Sequence, residues 1–281
     1  MPRARASGIL VVDDDRLTRH LTRSVLTKAG YRVRVANNGL EALRLLRSER
    51  FDLMLLDVWM PRMDGLAVLD RIKPDKRAPK VIVLTSDDAP ATVLKAIRRR
   101  AYEFAHKPLE PAALVKLVRT TLSAKPQPPI EVVSARPEWV ELSVPCTRDA
   151  ADRLQVVMAH LEADLPQEVR ESVGYAFREL LLNAIEWGGQ LDPNRKVRIA
   201  YLRARRMLLY RIADPGPGFS FKALSHAAVG HPEGSPLDHM NPREEKGLRP
   251  GGFGIMISQA KVDELIYNEA QNEVVFVKYL D

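Results

Sequence analysis

Residues 51–57 read FDLMLLD, a short and nearly unbroken apolar run that ends on a carboxylate. Such a run, without alternation, is the pattern of a strand buried on both faces, as parallel sheets require. The flanking sequence continues the theme. Upstream, GILVVD at 8–13 is apolar and β-rich, and 16–30 has helical spacing and closes on Gly30. YRVRVA at 31–36 alternates, and 39–50 is helical again. Downstream come a helix near 66–72, the strand KVIVLTS at 80–86 and a helix at 91–100. AYEFAHKP at 101–108 and a last helix at 111–122 complete the series. Five strand–helix units predict an α/β domain with a parallel sheet covered on both faces.

In such a sheet the chemistry collects where strands end at the carboxyl edge. Asp13, Asp14 and Asp15 follow the first strand, and Asp57 ends the third. Thr85 ends the fourth, and Lys107 follows the fifth, just before Pro108. Several carboxylates at one edge repel one another unless a cation bridges them, and oxygen ligands favour Mg2+. A lysine and a threonine nearby can hold an incoming anionic group. Metal, nucleophile and charge-neutralising donors together equip a site for phosphoryl transfer to a carboxylate.

The motifs VVDDD, LLDVWMPRMDG, LTS and HKP, in this order and spacing, resemble the receiver domain of two-component response regulators over residues 7–123. The resemblance implies a flavodoxin-like (βα)5 fold. It makes Asp57 the phosphoacceptor and part of the Mg2+ site, with Asp14 a direct metal ligand and Asp13 assisting. It places Thr85 and Lys107 on the phosphoryl oxygens and makes Phe104 an aromatic switch that turns inward. Asp15 is read more plainly, as a helix N-cap.

Bulk properties fit a soluble globular chain long enough for two domains: 281 residues, 46% hydrophobic and 28% charged. No run of eighteen or more apolar residues occurs, so no membrane span is expected. The opening MPRARASGILVV has too short an apolar run for a signal-peptide core and is read as leading into a strand. Cys146 is the sole cysteine, which excludes an internal disulfide, and a cytoplasmic location is expected. Charge is uneven. Residues 1–125 hold 25 Lys+Arg against 14 Asp+Glu, and the remainder 18 against 22. The basic residues are scattered among helices and no DNA-reading motif is recognisable, so direct nucleic-acid binding is not expected.

The proline-rich stretch 125–138 reads as a stiff, extended linker between a first domain at 1–124 and a second at 139–281. The second begins with a strand at 140–146 and helical stretches at 149–165 and 167–188. Strands follow at 196–204 and 206–214, then a helix at 254–261 and strands at 262–269 and 272–280. Helices with a largely antiparallel sheet predict a two-layer α/β sandwich. Three features stand out. In FRELLLNAIEWGG at 177–189, Glu179, Asn183 and Glu186 share one helical face among apolar neighbours. Taken alone, that stripe fits a solvent-facing surface equally well. In ADPGPGF, Asp214 ends a strand ahead of Gly216 and Gly218, a turn that permits close backbone approach to a ligand. In GLRPGGFGIMIS, Gly251, Gly252 and Gly254 precede a helix, an arrangement suited to phosphates, although glycine pairs alone usually mean turns.

In this order the three features resemble the GHKL-type ATP-binding fold, and within it the anti-sigma-factor serine kinases. That resemblance makes Asn183 a Mg2+ ligand and Glu179 the general base. Asp214 would recognise the adenine amine beside Gly216 and Gly218, and Gly251, Gly252 and Gly254 would wrap the phosphates of ATP. Trp187 stands where these kinases often place histidine. Residues 219–249 would form the ATP lid, in which Lys246 and Arg249 either reach phosphate or stay solvated. His160 is not a phosphoacceptor of a dimerisation hairpin, because the 23 residues from it to Asn183, fully helical, span only about 35 Å.

The whole then resembles a response regulator in which Asp57 phosphorylation by a sensor histidine kinase controls a serine/threonine kinase output. Its partner would be an anti-sigma-factor antagonist, with release or capture of a sigma factor, and a homodimer is expected. Two alternatives remain: an ATP-dependent binding module without phosphoryl transfer, and a phosphorelay component acting with a separate histidine-bearing protein.

Overall fold

The computed structural model describes residues 6–72, 75, 78–86, 90–136, 138–219 and 254–280. The chain divides into two compact units, Met1–Pro126 and Gln127–Asp281.

The first unit alternates strand and helix: β1 (Gly8–Val12), α1 (Arg16–Lys28), β2 (Arg32–Ala36), α2 (Gly39–Ser48), β3 (Leu53–Asp57), α3 (Gly65–Ile72), β4 (Lys80–Thr85), α4 (Pro90–Arg98), β5 (Glu103–His106) and α5 (Pro111–Ser123). The sheet is wholly parallel, in the order β2-β1-β3-β4-β5. Its inner strands β1 and β3 are buried at every position, as the unbroken apolar runs require, whereas edge strand β2 is only partly covered. Local chemistry sets the helix ends. The Asp15 carboxylate accepts from the Thr18 amide at 2.6 Å, and the Asn38 side chain accepts from the Glu41 amide at 3.0 Å. Gly30 closes α1 with a φ of 91°, in the left-handed region that glycine enters without strain. Chain order reverses between β1 and β3, so the turns after these strands lead apart and leave a crevice. Asp13 and Asp57 stand at that crevice.

The second unit is a six-stranded antiparallel sheet with helices: β6 (Glu131–Arg136), β7 (Trp139–Pro145), α6 (Arg148–Leu161), α7 (Gln167–Asn183), β8 (Lys196–Ala204), β9 (Met207–Ala213), α8 (Gly254–Lys261), β10 (Glu264–Tyr267) and β11 (Glu273–Tyr279). Its order is β10-β11-β9-β8-β7-β6. β9 buries alternate residues, Leu208, Tyr210 and Ile212, so one face of the strand meets the core. Tyr210 stacks on Phe276 of β11 with centroids 4.5 Å apart and packs on Phe177 of α7 at 5.4 Å. These three rings join the helical layer to the sheet.

Two local results differ from the sequence reading. Residues 125–138 were expected to be extended throughout as a linker; Glu131–Arg136 within them is paired as edge strand β6, opposite Trp139–Ser143. The helix expected to run unbroken to residue 188 instead changes at Ala184 to a π-helical turn, Ala184–Gly188. The Gly189 amide then bonds to the Ala184 carbonyl at 2.8 Å.

Candidate functional site

In the first unit, three carboxylates and one ammonium converge at the crevice. Asp13 follows β1, Asp57 ends β3, and Lys107 follows β5. The Lys107 Nζ donates to Asp13 Oδ2 and to Asp57 Oδ2, each at 2.6 Å. Ligand oxygens of Asp13, Asp14 and Asp57 lie within 4.8 Å of one another, with Asp13 and Asp57 buried and Asp14 exposed. This all-oxygen set, with one exposed member open to solvent, fits Mg2+. Asp13 is held from its other side by the Asp15 amide on Oδ1 at 2.8 Å, while its own carbonyl accepts from Arg19 at 2.7 Å.

Burial raises the Asp57 carboxyl above the usual aspartate range, opposed by hydrogen bonding and charge from Lys107. Burial lowers the Lys107 ammonium, but its bonds to Asp13 and Asp57 outweigh that effect and raise it overall. The lysine is therefore a fixed cation between two carboxylates. Thr85 is completely buried, and its carbonyl accepts from the Lys107 amide at 2.9 Å, tying the ends of β4 and β5 together. Phe104 is 4% exposed. Gly65 was not singled out from sequence. Its amide donates to the Val58 carbonyl at 2.8 Å, and a Cβ there would stand 3.0 Å from the Asp57 carbonyl carbon and overlap its oxygen. Glycine at the start of α3 thus lets the loop after Asp57 close. Only its place in the MDG turn hints at this.

In the second unit, Glu179 and Asn183 sit on α7, half-buried, one turn apart. Gly254, the first residue of α8, packs on Glu179: a Cβ there would lie 3.3 Å from Glu179 Cδ and closer still to Oε2. A carboxylate at a helix N-terminus is favoured by the helix dipole. Asp214 follows β9. Its Oδ1 accepts from the Gly216 amide at 2.7 Å, and its own amide donates to the Asn272 carbonyl at 2.8 Å. Asn272 returns a bond from Nδ2 to the Gly216 carbonyl at 3.0 Å, so the β10–β11 turn holds the glycine turn in place. Burial raises the Asp214 carboxyl, while the Gly216 amide and the Arg195 charge act against it. Gly218 has a φ of 86°, and a Cβ there would lie 2.7 Å from the Ala270 carbonyl carbon. Gly251 and Gly252, and with them Lys246, Arg249 and nearly all of the lid segment, lie outside the described residues.

The sequence reading did not single out Gly188 as part of this site. The π-helical turn presses it against Asp214, and a Cβ at 188 would lie 2.5 Å from Asp214 Cβ and overlap the carboxylate. The Gly188–Gly189 pair is the sequence signal, but it reads equally as a simple helix stop. Gly189 in turn packs on the buried Cys146, whose thiol burial pushes up to about 11, so Cys146 fills space rather than serving as a nucleophile.

Comparison with known proteins gives each unit a relationship. Residues 9–119 match the response regulator receiver domain, and residues 145–278 match the histidine kinase-like ATPase domain. The DNA-binding response regulator MtrA of Mycolicibacterium paratuberculosis is 29% identical over 232 residues, which cover 81% of this chain and 98% of MtrA. The response regulator MprA of Mycobacterium bovis is 35% identical over 142 residues, 50% of this chain and 61% of MprA. A CheY-like receiver domain protein from Methanospirillum hungatei is 27% identical, over 42% of this chain and 94% of that one, with a TM-score of 0.41. Among the described residues, no helix is long and apolar enough to cross a membrane.

Proposed function

We propose that this chain, a response regulator in which a receiver domain is joined to a histidine kinase-like ATPase domain, passes phosphorylation of Asp57 to an ATP-dependent serine/threonine kinase output. The observation that carries the first step is Lys107 Nζ, 2.6 Å from oxygens of both Asp13 and Asp57. In the reaction an Asp57 oxygen attacks the phosphorus of a phosphohistidine donor; the O–P bond forms as the N–P bond breaks, and the imidazole leaves. Lys107 then exchanges one carboxylate partner for a phosphoryl oxygen, and Thr85 offers its hydroxyl to another. Asp13, Asp14 and Asp57 would hold a Mg2+ ion, which neutralises charge on the transferring group.

In the second domain ATP is the ligand, Asp214 accepts from the adenine amine, and Asn183 serves the phosphate-bound Mg2+. Glu179 acts as general base on the hydroxyl of the protein substrate, an antagonist of an anti-sigma factor. The support for that role is its carboxylate lying against Gly254, at the helix end that favours phosphate.

The test is incubation of the full chain with Mg-ATP and candidate antagonist proteins, with and without a phosphate mimic on Asp57. Label on a partner's serine or threonine, lost in Glu179→Gln and Asn183→Ala, supports the kinase. Saturable ATP binding with no transfer makes the domain a binding module, and acid-labile phosphohistidine on a partner overturns the serine-kinase assignment.

A further inference from the structure

The turn after Asp214 is also gripped by a loop that the sequence reading did not single out. Residues 189–195 join the π-helical turn to β8, and hydrogen bonds fix their path. The Leu191 amide donates to the Ile185 carbonyl at 3.1 Å, the Asp192 amide to the Gly189 carbonyl at 3.2 Å, and the Arg195 amide to the Asp192 carbonyl at 3.1 Å. Asp192 Oδ1 accepts from the Asn194 amide at 2.9 Å. Gln190 and Leu191 stand in the left-handed region, with φ of 57° and 54°. Neither is glycine, and two such residues in succession persist only where the surrounding structure holds them.

The loop delivers Arg195 to that turn. Its Nη2 donates to the Pro215 carbonyl at 2.6 Å, one residue past Asp214. Its own carbonyl accepts from the Cys146 amide at 3.0 Å, so the backbone that carries the guanidinium is anchored to the end of β7. Among the described residues, Arg195 is the charge that acts on Asp214. The other ionisable groups near this carboxylate are the Cys146 thiol and the Tyr267 phenol of β10, and burial raises both, so they are neutral at pH 7. Gly216, which donates to the carboxylate, and Gly188, which packs on it, carry no charge.

We propose that Arg195 is a positioning residue for recognition of the nucleotide base: it anchors the turn after Asp214 and sets a fixed cation beside the carboxylate that accepts from the adenine amine. This role rests on ATP being the ligand, as proposed above. The arginine keeps Asp214 an acceptor. Burial raises the Asp214 carboxyl, and a protonated Asp214 would present a donor to an amine that also donates. The Arg195 charge opposes burial and keeps the carboxylate ionised to lower pH. An ionised Asp214 accepts from the amine of ATP and repels the 6-oxo group of ITP, so discrimination between the two follows Asp214 ionisation.

The probes are Mg-ATP and Mg-ITP, titrated into the full chain between pH 5 and 8.5, and the ratio of their affinities cancels the titration of the shared triphosphate. The parent should prefer ATP at least tenfold at pH 8, and the preference should fall on acidification as Asp214 takes a proton. Arg195→Met should move that fall to higher pH by at least half a pH unit, whereas Arg195→Lys, which keeps the charge, should restore the parent profile. An arginine with a structural role alone would weaken both nucleotides alike at every pH. That result, or an unchanged profile in Arg195→Met, overturns the proposal. The Asp214 carboxyl resonance, followed by NMR in the nucleotide-free chain, should titrate at higher pH in Arg195→Met, and an unmoved resonance overturns it equally. A parent that binds neither nucleotide while this resonance still responds to Arg195→Met overturns the ATP assignment itself, and the base-recognition role with it.

Discussion

Gly188 lies against the carboxylate of Asp214 so closely that a side chain at 188 would displace it. The contact joins the end of the α7 helical run to the turn after β9, two segments 26 residues apart in the chain. It is made by a π-helical turn, an insertion that recurs at functional sites because it re-aims the residues after it.

Gly188→Ala should therefore cost ATP binding. Overpacking here is expected to destabilise the second domain by about 1–3 kcal/mol and weaken ATP at least tenfold. Titration with a fluorescent nucleotide, beside urea unfolding, checks both. Gly174→Ala is the matched control: its Cβ meets open space, and a gain of about 0.5–1 kcal/mol is expected.

Lys107→Met removes the cation shared by Asp13 and Asp57. Two buried carboxylates then face each other without compensation, and a loss of about 3–5 kcal/mol is expected in the first domain at neutral pH. Asp57→Asn keeps an acceptor for Lys107 and should change stability far less. Both should abolish labelling by a small-molecule phosphodonor, read by mass spectrometry.

Gly65→Ala tests the loop after Asp57. The added methyl overlaps the Asp57 carbonyl, so the loop must open. A loss of about 1–3 kcal/mol is expected, together with slower phosphorylation of Asp57 and no change in ATP binding. Chemical unfolding and the rate of phosphate incorporation measure the two effects.

Glu162 gives the second domain a pH dependence. Its folded carboxyl is raised from an ordinary value of 4.5 to about 8, so the unfolded chain gives up the proton first as pH rises. The stability it contributes is complete below about 4.5 and is lost as pH climbs to about 8, on the order of a few kcal/mol in all. Urea midpoints of the second domain between pH 5 and 9 should fall accordingly, and Glu162→Gln should flatten the curve.

Much of the molecule can be read from its sequence, because local chemistry sets local structure. The run at 51–57 contains β3, Leu53–Asp57, and each residue from Leu53 to Leu56 is fully buried. The strand at 196–204 and the helix at 254–261 have the bounds their periodicity predicts. Asp15 caps α1 through the bond its position implies. The carboxylates at strand ends were also legible, since a parallel βα series places every strand's carboxyl end at one edge. What remained hidden were contacts between distant segments. Nothing in the prolines at 125–138 distinguishes a free linker from the edge strand β6, which depends on β7 offering a partner. The 3.6-residue pattern through 177–188 continues across the π-helical turn without a mark.

By itself, then, the sequence determines two α/β units, the strands and helices within them, and a set of acidic and glycine positions at their ends. Only the tertiary structure decides that Lys107 bridges Asp13 and Asp57, that Gly188 meets Asp214, and that Glu162 is buried beside the space over Gly174. Periodicity assigns a residue to a face of its own element. Which groups of other elements meet that face is set by sheet order and by close packing across layers, which depend on the whole chain at once.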